Sequence, residues 1–509
     1  MAAVAPRRVL SDSVAVRLLA GQAFSRAAGA PLLAGNAVDL LIDARVNFDA
    51  WLAAIRAAKT LILLENYIFR DDATGHEFLD ALVERAKAGV RVCVIRDWMG
   101  CLGQSRAAFW QPLAGAGGEV RTYNPFRFMS PFGWLSRDHR KLLVVDNTVA
   151  FVGGICVSGT WLGDPERGID PWRDTAVAVR GPALRDIANS FADSWATLGD
   201  GLPEDVLELT ERCAPAGQVD LRVVATVPNT AGLYRLDQLI AAMARRSLWI
   251  TDAYFVGVAP YVQAVCAAAR DGVDVRLLVP GTSDIPAVAA VSRAGYRPLL
   301  EAGVRVFEWN GSMLHAKTAV TDCRWARVGS SNLNLASWIG NCELDIAIED
   351  EAFAHGMEAQ YQADLGNATE IVLKLPKRWR KAAAETAQND AEGPTSIADA
   401  VPPIADASPP SPPKSSARVG PPYPRARGGS SGRAAAGALR LANSVGAAIT
   451  NRRVLGRTES GPLLIAGLFL LVGAAVGVLW PALLAWPLAA LATWIGLTLV
   501  WRYISRSGA

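Results

Sequence analysis

The sequence predicts an α/β fold built twice in one chain, followed by a disordered linker and a C-terminal transmembrane helical hairpin. Three observations carry this. Apolar strand-like runs alternate with helical periodicities, the order of landmarks in the first part returns in the second, and residues 461–501 contain no charged residue. A chain of 509 residues has room for two or three domains with real cores. A net charge of +3 provides no strongly basic surface, so nucleic acid is not an expected partner. The positive mean hydropathy of +0.20 reflects apolar residues concentrated at the C-terminus.

In the first copy, 38–42 reads as a short strand and is followed by Phe48, Leu52 and Ile55 at helical spacing. The buried run 60–69 reads as a strand, Phe78, Leu79, Leu82 and Val83 as a helix ending at Ala88-Gly89, and 90–95 as the next strand. The same order returns as helix 239–246, strand 247–255, a helix ending at Asp271-Gly272, and strand 273–279. Residues 117–124 are answered by 303–310. The two copies therefore span 38–200 and 218–375, preceded by an N-terminal extension over 1–37. Seven cysteines with no Cys-x-x-Cys pair indicate neither a disulfide framework nor a zinc site, and fit a reducing compartment. The N-terminus has no continuous apolar core, so no cleavable signal peptide is expected.

Residues 382–433 are dominated by Pro, Ala, Ser and Gly and cannot bury enough apolar surface to order themselves. Residues 434–457 form a basic amphipathic segment, with Leu441, Val445, Ala448 and Ile449 at helical spacing among arginines. The uncharged run 461–501 would be roughly 60 Å long as one helix, about twice a bilayer core. Pro481 and Pro487 divide it into spans at 461–480 and 482–501. Arginines flank both outer ends and not the turn, which by the positive-inside rule places both ends, and the α/β body, in the cytoplasm.

The chemistry is concentrated in one string that occurs once per copy: His139-Arg140-Lys141 with Asp146, and His315-Ala316-Lys317 with Asp322. Both read His-x-Lys-x-x-x-x-Asp, and they hold two of only four histidines. Strand alternation puts each histidine and its lysine on one face and Arg140 on the other. Asp146 and Asp322 have the opposite parity and open turns, so they are assigned to scaffolding. Two imidazoles can hold opposite protonation states near neutrality, one as nucleophile and one as acid, while lysines neutralise phosphoryl oxygens. This suits displacement at a phosphodiester. No carboxylate cluster with metal-ligand spacing accompanies the motifs, so neither a metal nor a cofactor is expected.

The two motifs, with Gly153-Gly154 and Gly329-Ser330-Ser331-Asn332 after them, resemble the phospholipase D superfamily. Leu64-Glu65-Asn66-Tyr67-Ile68-Phe69 and Phe151-Val152-Gly153-Gly154 further resemble its bacterial cardiolipin synthase branch. The resemblance covers about 36–375. It implies a duplicated α/β/α sandwich with a pseudo-twofold axis and a covalent phosphohistidine, His139 being the nucleophile and His315 the acid/base, or the reverse. It implies that Asp174 and Glu343, each downstream of a motif, orient that motif's histidine, and that Asn332 and Ser330 bind substrate. Cys156 stands where the first copy would have the counterpart of Asn332, as a packing residue or a reactive thiol. The activity implied is that of a membrane-bound phosphatidyltransferase of a bacterial inner membrane, making cardiolipin from phosphatidylglycerol. Hydrolytic release of phosphatidic acid and, further off, a nuclease are the alternatives. Phospholipids and the bilayer are the implied partners, and the oligomeric state stays open.

Overall fold

The computed structural model describes residues 12–126, 136–204, 206, 213–373 and scattered positions between 486 and 497. Continuous apolar runs became strands covered on both faces, as in the fully buried Leu61–Asn66. The first copy contributes β1 (Leu33–Ile42), β2 (Leu61–Asn66), β3 (Arg91–Asp97), β4 (Glu119–Tyr123), β5 (Lys141–Val145), β6 (Val149–Gly153) and β7 (Thr175–Arg180). The second contributes β8 (Val219–Thr226), β9 (Ser247–Thr251), β10 (Asp274–Pro280), β11 (Arg305–Trp309), β12 (Thr318–Thr321), β13 (Trp325–Gly329), β14 (Glu343–Glu349) and β15 (Ala368–Ile371).

The order in the first copy is β1-β7-β6-β5-β2-β3-β4, and in the second β8-β14-β13-β12-β9-β10-β11, with β15 added at the edge. The internal repeat is thus a repeat of topology. β1 pairs antiparallel with β8 and joins the two halves into one hydrogen-bonded sheet. In each half the central pair is antiparallel, β2 with β5 and β9 with β12, while β3 and β10 run parallel to β2 and β9.

Helices cover the sheets. Helix Ala73–Lys87 starts where the Asp72 carboxylate accepts from the Gly75 N–H at 2.9 Å, and it closes at Gly89 with φ +87°. Trp51 and Phe78 pack with Leu64 and Val94 on one outer face, and Leu236 with Ile250 on the other. Between them, a shared core unites Leu142 and Val177 of the first half with Leu344 and Ile346 of the second.

Some boundaries moved. β1 begins at Leu33 rather than 38, and helix Asp12–Ala28 precedes it inside the N-terminal extension, with Ala28 in the core of the second half. The runs 60–69 and 247–255 stop being strand at Asn66 and Thr251, because the chain must turn there to build a site. The linker, the basic segment and the span 461–480 lie outside the described residues, as does most of 482–501. Among the described residues no helix is long and apolar enough to cross a membrane.

Candidate active site

The halves meet through short parallel bridges just ahead of four strands. Asp138 pairs with Cys342 and Arg173 with Leu314. The His139 N–H donates to the Cys342 carbonyl at 2.9 Å, and the His315 N–H to the Arg173 carbonyl at 2.7 Å. In the repeat Asp138 corresponds to Leu314 and Arg173 to Cys342, so these are two copies of one contact, as a pseudo-twofold requires.

This contact exchanges the carboxylates. His139 Nδ1 lies 2.9 Å from Glu343 Oε2, and His315 Nδ1 lies 2.8 Å from Asp174 Oδ2. The resemblance implied pairing within each copy, whereas each histidine is held by the carboxylate of the other half. The reason is topological: Asp174 and Glu343 open β7 and β14, and the bridges bring those openings against the opposite motif. Both carboxylates are fully buried. Trp161 Nε1–H donates to Asp174 Oδ2 at 2.9 Å, and Ser330 Oγ–H to Glu343 Oε2 at 2.6 Å. Ser330, expected at the substrate, is therefore placed on Glu343.

The glycines at the ends of β6 and β13 follow from this packing. A Cβ on Gly153 would lie 2.4 Å from that of Ala176, one on Gly154 2.3 Å from Asp174 Oδ1, and one on Gly329 2.2 Å from Asp345 Oδ1.

Each histidine sits just before its strand, and Lys141 and Lys317 are the residues entering β5 and β12. Each lysine Nζ–H donates to the carbonyl of its own motif's histidine. Tyr67 packs edge-on against His139 at 4.9 Å, and Trp161 against His315 at 5.2 Å. Arg140 points away from this face, as parity requires. Its guanidinium donates to the Glu343 carbonyl at 3.2 Å, Ser194 Oγ at 2.9 Å and the Thr226 carbonyl at 3.0 Å, tying the halves together.

Burial pushes the His139 pKa down, and Glu343 opposes that only partly. Burial and Lys317 push His315 down to about 3 against the pull of Asp174. Lys317 depresses His139 as well, and Lys141 depresses His315, so both imidazoles and both lysines share one electrostatic neighbourhood. Burial lowers Lys317 to about 8. Burial raises Asp174, but His315, Lys317 and Trp161 outweigh it and hold its carboxyl at about 2. Glu343 is likewise lowered against its burial by His139, Lys141 and Ser330. With ionised carboxylates on both Nδ1–H groups, each ring presents an unprotonated Nε2.

Asn332 is buried, its N–H donating to Ser337 Oγ at 3.1 Å while its Oδ1 has no partner among the described residues. Cys156 is buried among the apolar side chains of the first half's core, where burial pushes its thiol up to about 11. Asp146 and Asp322 lie at the far ends of β5 and β12. Asp146 accepts from the N–H groups of Lys59, Thr60 and Leu61, and Asp322 from those of Arg245, Arg246 and Ser247.

The sequence reading missed Asn66 and Asp252, equivalent residues opposite Lys141 and Lys317 in the sheet. Asp252 accepts from the Tyr254 and Leu333 N–H groups, whereas neither amide atom of Asn66 has a partner among the described residues. The repeat alignment holds that signal: the residue before Tyr67 against the second residue before Tyr254.

The chain matches the family model for the cardiolipin synthase phospholipase D-like domain over 51–159 and 237–365. It is 34% identical over 371 residues to cardiolipin synthase A of Pseudomonas aeruginosa, covering 71% of this chain and 74% of that one. It is 33% identical over 354 residues to cardiolipin synthase A of Pseudomonas putida, covering 68% and 71%. The crystal structure of phosphatidylserine synthase from Haemophilus influenzae superposes with a TM-score of 0.54 at 14% identity, covering 73% of this chain and 98% of that one. That likeness concerns the fold.

Proposed function

The chain belongs to the phospholipase D-like cardiolipin synthase family and is a phospholipid phosphatidyltransferase; on that premise we propose that it makes cardiolipin from two molecules of phosphatidylglycerol, with His139 as nucleophile and His315 as acid and base. The observation that carries this reading is the crossed pair of Nδ1–carboxylate contacts, which leaves two Nε2 lone pairs beside two lysines.

His139 Nε2 attacks phosphorus, the bond from phosphorus to the headgroup glycerol oxygen breaks, and His315 as imidazolium gives that oxygen its proton. The second phosphatidylglycerol then attacks with its headgroup hydroxyl. Neutral His315 takes that proton, the P–N bond breaks, and cardiolipin leaves. Lys141 and Lys317 balance the phosphoryl charge, and Asn332 supplies an amide to it. In the free protein His315 is held neutral by burial and by the lysines. The arriving phosphodiester anion supplies the negative charge that lets it protonate.

In this reading 38–200 and 218–375 are the two phospholipase D-like halves, and the linker 382–433 tethers them to a hairpin at 461–480 and 482–501 in a bacterial inner membrane, with the body on the cytoplasmic side. The uncharged run and its arginine flanks support that placement. Purified protein incubated with phosphatidylglycerol tests the activity: cardiolipin and glycerol are the expected products, and phosphatidic acid without cardiolipin would show hydrolysis instead.

A further inference from the structure

Exposed apolar side chains ring the end of the sheet that holds the paired histidines. Asn66 stands opposite Lys141 and Thr251 opposite Thr318, so the end of the sheet where β5 and β12 begin is also where β2 and β9 end. β3 and β10, parallel to these, end there too, as does β13, antiparallel to β12. The segments that follow carry Leu102 after β3, Ile285 and Val291 after β10, and Leu335 and Ile339 after β13. These five large apolar side chains are 43 to 56% exposed. The opposite end of the sheet, where β9 and β11 begin, exposes Met243 and Val372, each adjoining a helix or strand terminus.

The character of these segments is as telling as the exposure. Residues 98–105 and 330–342 contain no Asp, Glu, Lys or Arg, and after β10 the run 285–292 is free of charge between Asp284 and Arg293, although exposed segments normally carry charge. Single exposed apolar residues are ordinary, but five of them on charge-free segments around one buried site are not. The histidines they surround are themselves buried, 8% and 5% exposed. A diacyl phosphodiester reaching them from water would have to expose its chains, whereas one reaching them from a membrane would not.

Resting on the phospholipid substrate of the proposed function, we propose that Leu102, Ile285, Val291, Leu335 and Ile339 form an interfacial rim that enters the headgroup region of a phospholipid bilayer and sets the site against its surface, independently of any membrane span.

Hydrogen exchange of the full chain, with and without vesicles of phosphatidylcholine and phosphatidic acid, tests this without turnover, so it stands apart from the proposed activity. Peptides covering 98–105, 285–294 and 333–342 gain protection in the presence of vesicles, while those around Met243 and Val372 do not. Equal protection at both ends, or none at the rim, overturns the proposal. Rim protection that instead grows with protein concentration in the absence of lipid would assign the surface to a second copy, and also overturns it. As an independent arm, the double variants Ile285→Asp/Val291→Asp and Leu335→Asp/Ile339→Asp keep turnover of monomeric short-chain phosphatidylglycerol within about two-fold. Their rate on phosphatidylglycerol vesicles falls about ten-fold or more. Unchanged vesicle rates, or equal losses on both substrates, contradict the rim.

Discussion

In the proposed reaction His139 and His315 share one set of surroundings but take different tasks, and only the leaving group separates them. An activated substrate such as the p-nitrophenyl ester of phosphatidic acid needs no acid to expel its leaving group. His315→Ala and Asp174→Asn therefore still form the covalent adduct with it at close to the native rate, while Glu343→Gln forms it far more slowly and His139→Ala not at all. With phosphatidylglycerol, Glu343→Gln and Asp174→Asn each lower kcat by roughly 10²- to 10⁴-fold, the range expected when a carboxylate that fixes a histidine tautomer is lost. If burst measurements group Asp174 with His139 instead, the crossed pairing is wrong. Lys317, lowered to about 8 by burial, gives kcat/KM an alkaline limb near pH 8 as its charge is lost. The pKa of His315 is lower in the folded chain than in the unfolded one, so its contribution to stability is complete above pH 6.5 and is lost as pH falls toward about 3. Melting temperature falls across that window, and His315→Gln flattens the fall.

At the scale of elements, the motif string divides into a chemical end and a structural end. Asp146 and Asp322 hold φ of +51° and +54° in their hairpin turns and anchor the segments that lead into β2 and β9. Asp146→Ala and Asp322→Ala each lose about 1–3 kcal/mol of stability, since several backbone N–H groups lose their acceptor and alanine is poorly suited to that φ. Thermal unfolding measures the loss, and turnover per folded molecule stays at the native value. This division was legible in the sequence because strand parity is a local property. The alternation of strands and helices and the internal repeat were legible for the same reason, being carried by runs of neighbouring residues. The exchange of Asp174 and Glu343 was not, because each of those contacts joins residues more than a hundred positions apart through bridges that no periodicity announces. Arg140 was read correctly as facing away, yet its role in clasping both halves rests on Ser194 and Thr226, which only the fold brings to it.

For the whole molecule, duplication built a site that neither half owns. Each imidazole takes its orientation from the other copy, and Arg173, whose carbonyl receives the His315 N–H, is itself fixed by paired hydrogen bonds of 2.9 and 2.8 Å to Asp364. The repeat in the sequence pointed to this arrangement and to one departure from its symmetry, Cys156 in the place of Asn332, whereas the second, Asn66 in the place of Asp252, emerges only from the sheet register. Because the site is complete within one chain, mixing His139→Ala and His315→Ala proteins restores no activity, and recovery of turnover on mixing would place the two motifs on different chains. The proposed reaction needs one composite site with a single nucleophile. Acid-quenched reactions of the purified chain with phosphatidylglycerol radiolabelled at phosphorus, followed by peptide mapping, test it most directly. At most one labelled group per chain, on His139, is the expected result. Label on His315, on both histidines, or on neither while cardiolipin accumulates would contradict it.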